Sequence, residues 1–344
     1  MDRAHGTIGK LIISNMKNMF NKILCMAVMA SAFVFPAKAQ LTTSQWEEKT
    51  LPVGEFSSVE VVGDFEVALT KGTYSVRLTA DKVLIPYVQV YVRSKTLYVA
   101  YDEKAVPKDV KKLYKGKDAP KPVFRAVVSM PELNGIKLDD NVMLASAEEF
   151  YGSKVNISLA GKSQIKNLTI HADDISLDMK KNAQAVITLN ADSKLEVNTD
   201  DKAILKLTEK AKEFTLNAKG SSDNAVSGEG GAITLKLGEK ASVNMSQNTK
   251  KVALEAGGSS SLVLNGKAES LEVKGDKNAT VDATAFPVER VNANLGGGRV
   301  DVNVEKELKV TLDGGSTLVY AGSPTILVGK IVKSTLAPAG VLKK

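Results

Sequence analysis

Phe214-Thr-Leu-Asn-Ala218, Ile233-Thr-Leu-Lys-Leu237 and Val252-Ala-Leu-Glu-Ala256 are three copies of one pattern, which Ile175-Ser-Leu-Asp-Met179 and Leu308-Lys-Val-Thr-Leu312 repeat with small edits. Apolar residues alternate with polar ones in each copy, the period of a strand with one buried face. Taking the first apolar residue as marker gives Ile136, Val155, Ile175, Leu195, Phe214, Ile233, Val252, Leu271, Val291 and Leu308, separated by 19, 20, 20, 19, 19, 19, 19, 20 and 17 residues. A unit this short cannot bury its apolar face alone, so a period near twenty implies stacked coils. The predicted fold is all-β, a right-handed β-helix-like solenoid with coils of about 19-20 residues. The second apolar positions, Ile157, Leu177, Val197, Leu216, Leu235, Leu254, Val273, Ala293 and Val310, should form one interior column.

Small or turn-forming residues keep the same phase: Gly161, Asn182, Asp200, Gly220, Gly238, Gly257, Gly275, Gly297 and Gly315. These types reach positive φ most readily, so the sequence places one corner of each coil there. A second strand then follows, as in Ala241-Ser-Val-Asn-Met245 and Val300-Asp-Val-Asn-Val304.

Residues 1–39 carry Lys17 and Lys22, an apolar run from Ile23 to Phe35 and the triplet Ala37-Lys-Ala39. A basic start, a short apolar core and an A-x-A site read as a secretory signal peptide, removed on export. Its loss takes the single cysteine, Cys25, and leaves 41 Lys+Arg against 38 Asp+Glu, a net +3 in place of the formal +7. Disulfide and thiolate chemistry leave with it. The mature chain has no segment long and apolar enough for a transmembrane helix, and its expected location is the periplasm, the outer cell envelope or outside the cell.

Residues 40–130 form a less regular β-rich module expected to cap the first coil, because an open solenoid end exposes core and unpaired strand edges. Within it, 103–122 holds seven lysines against three acids, with Pro107, Pro120 and Pro122. That run fits a solvated loop, with a flexible insertion or a short helix near Val110–Tyr114. As a functional surface it would suit anionic glycans, lipopolysaccharide or a membrane. The repeats occupy 131–325, and 326–344 reads as a C-terminal edge or tail.

Phe56-Ser-Ser-Val-Glu-Val-Val-Gly-Asp-Phe-Glu-Val-Ala-Leu-Thr-Lys-Gly72, Lys95-Thr-Leu-Tyr-Val99, Met130-Pro-Glu-Leu133 and Leu312-Asp-Gly-Gly-Ser-Thr-Leu-Val-Tyr-Ala-Gly-Ser-Pro324 carry a resemblance. In these stretches the chain resembles the putative autotransporter adhesin, head GIN domain family, across most of its mature length. The resemblance implies an exported β-helical protein of a kind common in Bacteroidetes, with no catalytic motif to carry over. The corners Lys180-Lys-Asn182, Asp200-Asp-Lys202 and Lys274-Gly-Asp-Lys277 depart from the small Gly-Ser corners of that family.

Little catalytic chemistry is visible. His171 is the one histidine outside the leader, and it reads as a satisfied surface side chain. The acidic pairs Asp139-Asp140, Asp173-Asp174 and Asp200-Asp201 could in principle hold calcium or act on glycosides, but Asp is also a common corner residue and lysines stand beside them. Gly257-Gly258, Gly296-Gly-Gly298 and Gly314-Gly315 lack the aspartates of a calcium-binding roll. The five arginines outside the leader, at 77, 93, 125, 290 and 299, form no cluster suited to a polysaccharide lyase. Phe214 and Phe286 read as packing residues, and Tyr151 and Tyr320 are weak ligand candidates. The expectation is a non-enzymatic protein with no catalytic, cofactor-binding or metal residue and no cofactor. Its partner would be an envelope component, a glycan or a host surface, and not nucleic acid. The alternatives are a structural envelope scaffold without a dedicated ligand and a carbohydrate-active β-helix enzyme.

Overall fold

Each repeat supplies two short alternating strands, and neither can hide its apolar side without a neighbour above and below. In the computed structural model, which describes residues 46–341, this requirement is met by a β-solenoid of about 11 turns. The signal-peptide reading of residues 1–39 lies outside the described residues.

The first strands in chain order are β1 (Trp46–Pro52), β2 (Ser58–Gly63), β3 (Phe65–Lys71), β4 (Ser75–Asp81), β5 (Val88–Arg93) and β6 (Thr96–Tyr101). After the short helix α1 (Lys108–Leu113) come β7 (Phe124–Met130), β8 (Gly135–Asp140) and β9 (Met143–Tyr151). β2 pairs in parallel with both β6 and β8, and β3 with both β7 and β9. Part of the irregular module therefore consists of solenoid rungs, stacked in the order β6/β7, β2/β3, β8/β9. Antiparallel strands close this end: β5 lies on β6, and β4 lies between β7 and β1. The lysine-rich stretch is inserted at the corner between β6 and β7; it carries α1, buries Val106, and donates the Tyr114 hydroxyl to Asp81 at 2.7 Å.

From here the stack follows chain order through β10 (Lys154–Leu159), β11 (Gln164–Met179), β12 (Gln184–Thr199), β13 (Ile204–Ala218), β14 (Asp223–Leu237) and β15 (Ser242–Ala256). It continues with β16 (Ser261–Gly275), β17 (Thr280–Leu295), β18 (Arg299–Leu312), β19 (Thr317–Ala321), β20 (Thr325–Ile331) and β21 (Thr335–Pro338). The first half of β11 continues the β9 ladder and its second half the β10 ladder, so one long strand bends to serve both sheets. Ile157, Leu177, Val197, Leu216, Leu235, Leu254, Val273, Ala293 and Val310 pair in register and are all buried. The column ends at Val328, which is 55% exposed because no later strand among the described residues covers it.

Two sequence assignments need correction. Ile136 is not in the Val155 column; it pairs with Ile157, so that step is 21 residues. Between the pairs Ala145–Asn167 and Glu149–Thr169, β9 holds three residues where β11 holds one, and this bulge absorbs the extra length. The positive-φ residue of several corners is also displaced: it is Lys181, Asp201, Glu239, Gly258, Lys277 and Gly298, in place of Asn182, Asp200, Gly238, Gly257, Gly275 and Gly297. Except at Gly296–Gly298, the corners from Ala160 to Ser316 are four-residue turns closed by a backbone bond such as Ala203 N–H to Asp200 O (3.1 Å), and the second residue takes the left-handed conformation. Aspartate in the first position stabilises it by accepting the next backbone N–H, as Asp139, Asp200, Asp276 and Asp313 do at 2.7–2.8 Å.

Gly220 is constrained twice, by its φ of 65° and by the rung below, since a Cβ would lie 2.5 Å from Asp201 N. Replacing Gly220 by Ala is expected to cost about 2 kcal/mol, because both backbones must shift at a strained φ. Urea unfolding of the variant reads this loss, and an unchanged midpoint would contradict the close approach.

Candidate functional site

At the bend opposite the left-handed corners, the bulge in β9 changes what the solenoid exposes. Ser146 Oγ accepts from the Glu148 backbone N–H at 3.0 Å, Asn167 Nδ2 donates to Ser146 O at 3.1 Å, and Lys71 N–H donates to Glu148. The displaced chain leaves Tyr151 53% exposed, the only aromatic above half-exposed among the described residues. Its ring stacks on His171 with centroids 4.8 Å apart and planes 12° apart. Glu149 Oε2 lies 3.1 Å from His171 Nε2 and accepts the Tyr151 hydroxyl at 3.2 Å. That hydrogen bond is the main reason the Tyr151 phenol is held above its ordinary pKa. Lys71 Nζ sits 4.6 Å from the ring centroid, and Asn190 Nδ2 lies 3.5 Å from His171 Nδ1.

Tyr151 and His171 begin an outward ladder, one residue per rung: Tyr151, His171, Asn190, Lys210, Glu229, Asn248, Lys267. At ~4.8 Å per rung it runs for roughly 29 Å. From His171 onward it forms one wall of a groove of about 930 Å³, also lined by Asp192, Lys212, Gly230, Gly231, Thr249 and Lys250. Lys210, Lys212, Lys250 and Lys267 make no ion pair among the described residues, whereas Lys194, Lys274, Lys306 and Lys330 are each paired.

Directly behind the ladder lies an interior column of Leu189, Glu209, Gly228, Gln247 and Gly266. Glu209 and Gln247 are each 2% exposed. With no side chain at Gly228, the two meet across a rung, Gln247 Nε2 donating to Glu209 Oε1 at 2.5 Å. Glu209 Oε2 and Gln247 Oε1 have no partner. Both orphans are acceptors while the carboxyl is ionised, and a proton on it supplies the missing donor. Burial outweighs the amide bond and raises the Glu209 pKa to about 7.

The acidic pairs do not converge. Asp139-Asp140 and Asp200-Asp201 occupy left-handed corners, where Lys181 Nζ approaches Asp139 to 3.8 Å, while Asp173 lies at the opposite bend and accepts from Ser153 Oγ at 3.0 Å. No group of three or more potential metal ligands occurs among the described residues. Of the two tyrosine candidates, Tyr320 packs against the core and Tyr151 faces solvent. Sequence reading missed the lysine groove and the Glu209–Gln247 pair. Both recur at the 19-residue step, so aligning the coils residue by residue would have displayed them.

The family model described as putative auto-transporter adhesin, head GIN domain, matches residues 55–228 and 215–324. The chain belongs to that family. Similar solved structures include a putative adhesin from Parabacteroides merdae ATCC 43184, with 18% identity over 86% of this chain and 96% of that one and a TM-score of 0.31. A putative adhesin from Parabacteroides distasonis ATCC 8503 is 14% identical over 86% and 98%, with a TM-score of 0.37. A putative lipid binding protein from the same organism is 12% identical over 86% and 96%, with a TM-score of 0.35. No curated protein matches the chain. No helix among the described residues is long and apolar enough to cross a membrane.

Proposed function

We propose that this head GIN domain protein is an exported, non-enzymatic adhesin that presents the Tyr151–His171 end of its ladder to a saccharide on a cell envelope or host surface. The observation that carries this reading is the exposed Tyr151 ring, held flat on His171 and oriented by Glu149. With His171 and Lys71 against its faces, the Tyr151 ring offers its exposed edge and hydroxyl to the apolar side of a sugar, and Glu149 and Asn190 supply polar atoms for the sugar hydroxyls. The family membership and the signal-type sequence of residues 1–39 support export.

Binding of the mature protein to an array of neutral and acidic saccharides tests the proposal. Tyr151→Ala should weaken the saccharides retained by the native protein about tenfold, the loss of an aromatic contact on the order of 1.4 kcal/mol. Retention that ignores the substitution would refute this placement of the site.

A further inference from the structure

We propose that the lysine-lined part of the groove takes a linear anionic polysaccharide, with successive acidic groups held by Lys212 and Lys250 on either side of Gly231. This rests on the saccharide reading of the Tyr151 end and extends it along the same bend.

Register places Lys212, Gly231 and Lys250 on three successive rungs, since the next residues, Glu213, Ala232 and Lys251, pair across the same strands. The two ammonium groups therefore originate about 10 Å apart, two rungs of ~4.8 Å, the scale of a disaccharide. Beside them the ladder places Lys210 and Lys267 three rungs apart, with Glu229 and Asn248 between. Gly230 and Gly231 remove the wall between the lysines. A Cβ on Gly231 would lie 2.5 Å from Lys212 O, so stacking itself keeps this gap open.

The charge balance is local. Four lysines share the groove with Asp192 and Glu229, and none of the six forms an ion pair among the described residues. Four lysines against two carboxylates leave a net positive groove, and lysines whose stems are flanked by small residues attract fixed anions spaced along an extended chain. The groove has no aromatic side chain beyond His171 on which bases could stack, and its apolar surface comes from Ala191, Ala211, glycines and lysine stems, with no long aliphatic side chain to enclose an acyl chain. A sugar polymer with carboxylate or sulfate groups matches the remaining features, with hydroxyls for Asn190, Asn248 and Thr249.

The test measures affinity of the mature protein for polygalacturonate and chondroitin sulfate oligomers, neutral dextran, single-stranded DNA of matched charge, and anionic phospholipid vesicles. The variants are Lys212→Gln/Lys250→Gln and, as an equal charge change at the other edge, Lys162→Gln/Lys202→Gln. The groove pair should lose tenfold or more for at least one acidic saccharide and flatten its salt dependence, while the edge pair stays within twofold. Equal losses in both pairs, or DNA or vesicles bound as tightly and lost in parallel, would overturn the inference in favour of general polyanion attraction. If the Tyr151-dependent saccharide binds but no acidic polymer is preferred, this inference falls and the adhesin reading stands. If no saccharide binds at all, both fall.

Discussion

Replacing Leu235 by Asp is expected to unfold the central rungs. Leu235 is fully buried and pairs in register with Leu216 below and Leu254 above. The substitution forfeits roughly 1.5 to 3 kcal/mol of apolar burial. It also places a carboxylate where the neighbouring positions are aliphatic, a penalty of several kcal/mol more, so the total exceeds about 5 kcal/mol. Circular dichroism melts should show loss of the cooperative transition. Lys236→Asp, one residue along and facing outward, is the control and should melt close to the native protein. Equal melts for the two variants would mean that the rungs are not stacked in this register.

The second large effect is a pH dependence carried by Glu209. Its folded pKa of about 7 stands above the ordinary value of 4.5, so the folded state holds this proton more tightly than the unfolded chain does. The resulting stabilisation is complete below about pH 4.5, shrinks as pH rises, and is gone above about pH 7. The difference amounts to about 3 kcal/mol. No charged group contributes to this shift: burial raises the value and the Gln247 amide alone opposes it. Glu209→Gln removes the titration and keeps an amide partner for Gln247. Urea unfolding at pH 5 and pH 8.5 should show the variant gaining about 3 kcal/mol over the native protein between the two conditions. A gap between the proteins that stays constant with pH would show that the carboxyl is not held protonated.

How far the sequence could be read followed from how local each feature is. The column from Ile157 to Val310 was visible because every member has the same character and recurs at nearly one step. Ile136 falls outside the Val155 column because the one net extra residue of β9 changes no composition and leaves the alternation intact on either side of the bulge. Corners were located to within one or two residues, since glycine and asparagine draw attention while the left-handed residue is often Lys181, Asp201, Glu239 or Lys277. What allows charged residues there is the turn hydrogen bond and, at Asp200 and Asp276, a carboxylate on the following N–H; neither has a compositional signature. Tyr151 is legible as an aromatic, but its exposure depends on the bulge. The groove assembles single lysines from separate coils, none conspicuous alone.

The stacking order at the N-terminal end has a mechanical consequence. β2 and β3 are each bonded along both edges, to β6 and β8 and to β7 and β9, although they precede all four in the chain. Tension entering through β1 can unzip that strand from β4, but it must then shear the β2–β3 segment out from between two ladders at once. Tension entering past β21 meets β20 and β21, each bonded to one neighbouring strand, and peels them singly. The rod is therefore a lock when loaded from its first residues and a zipper when loaded from its last.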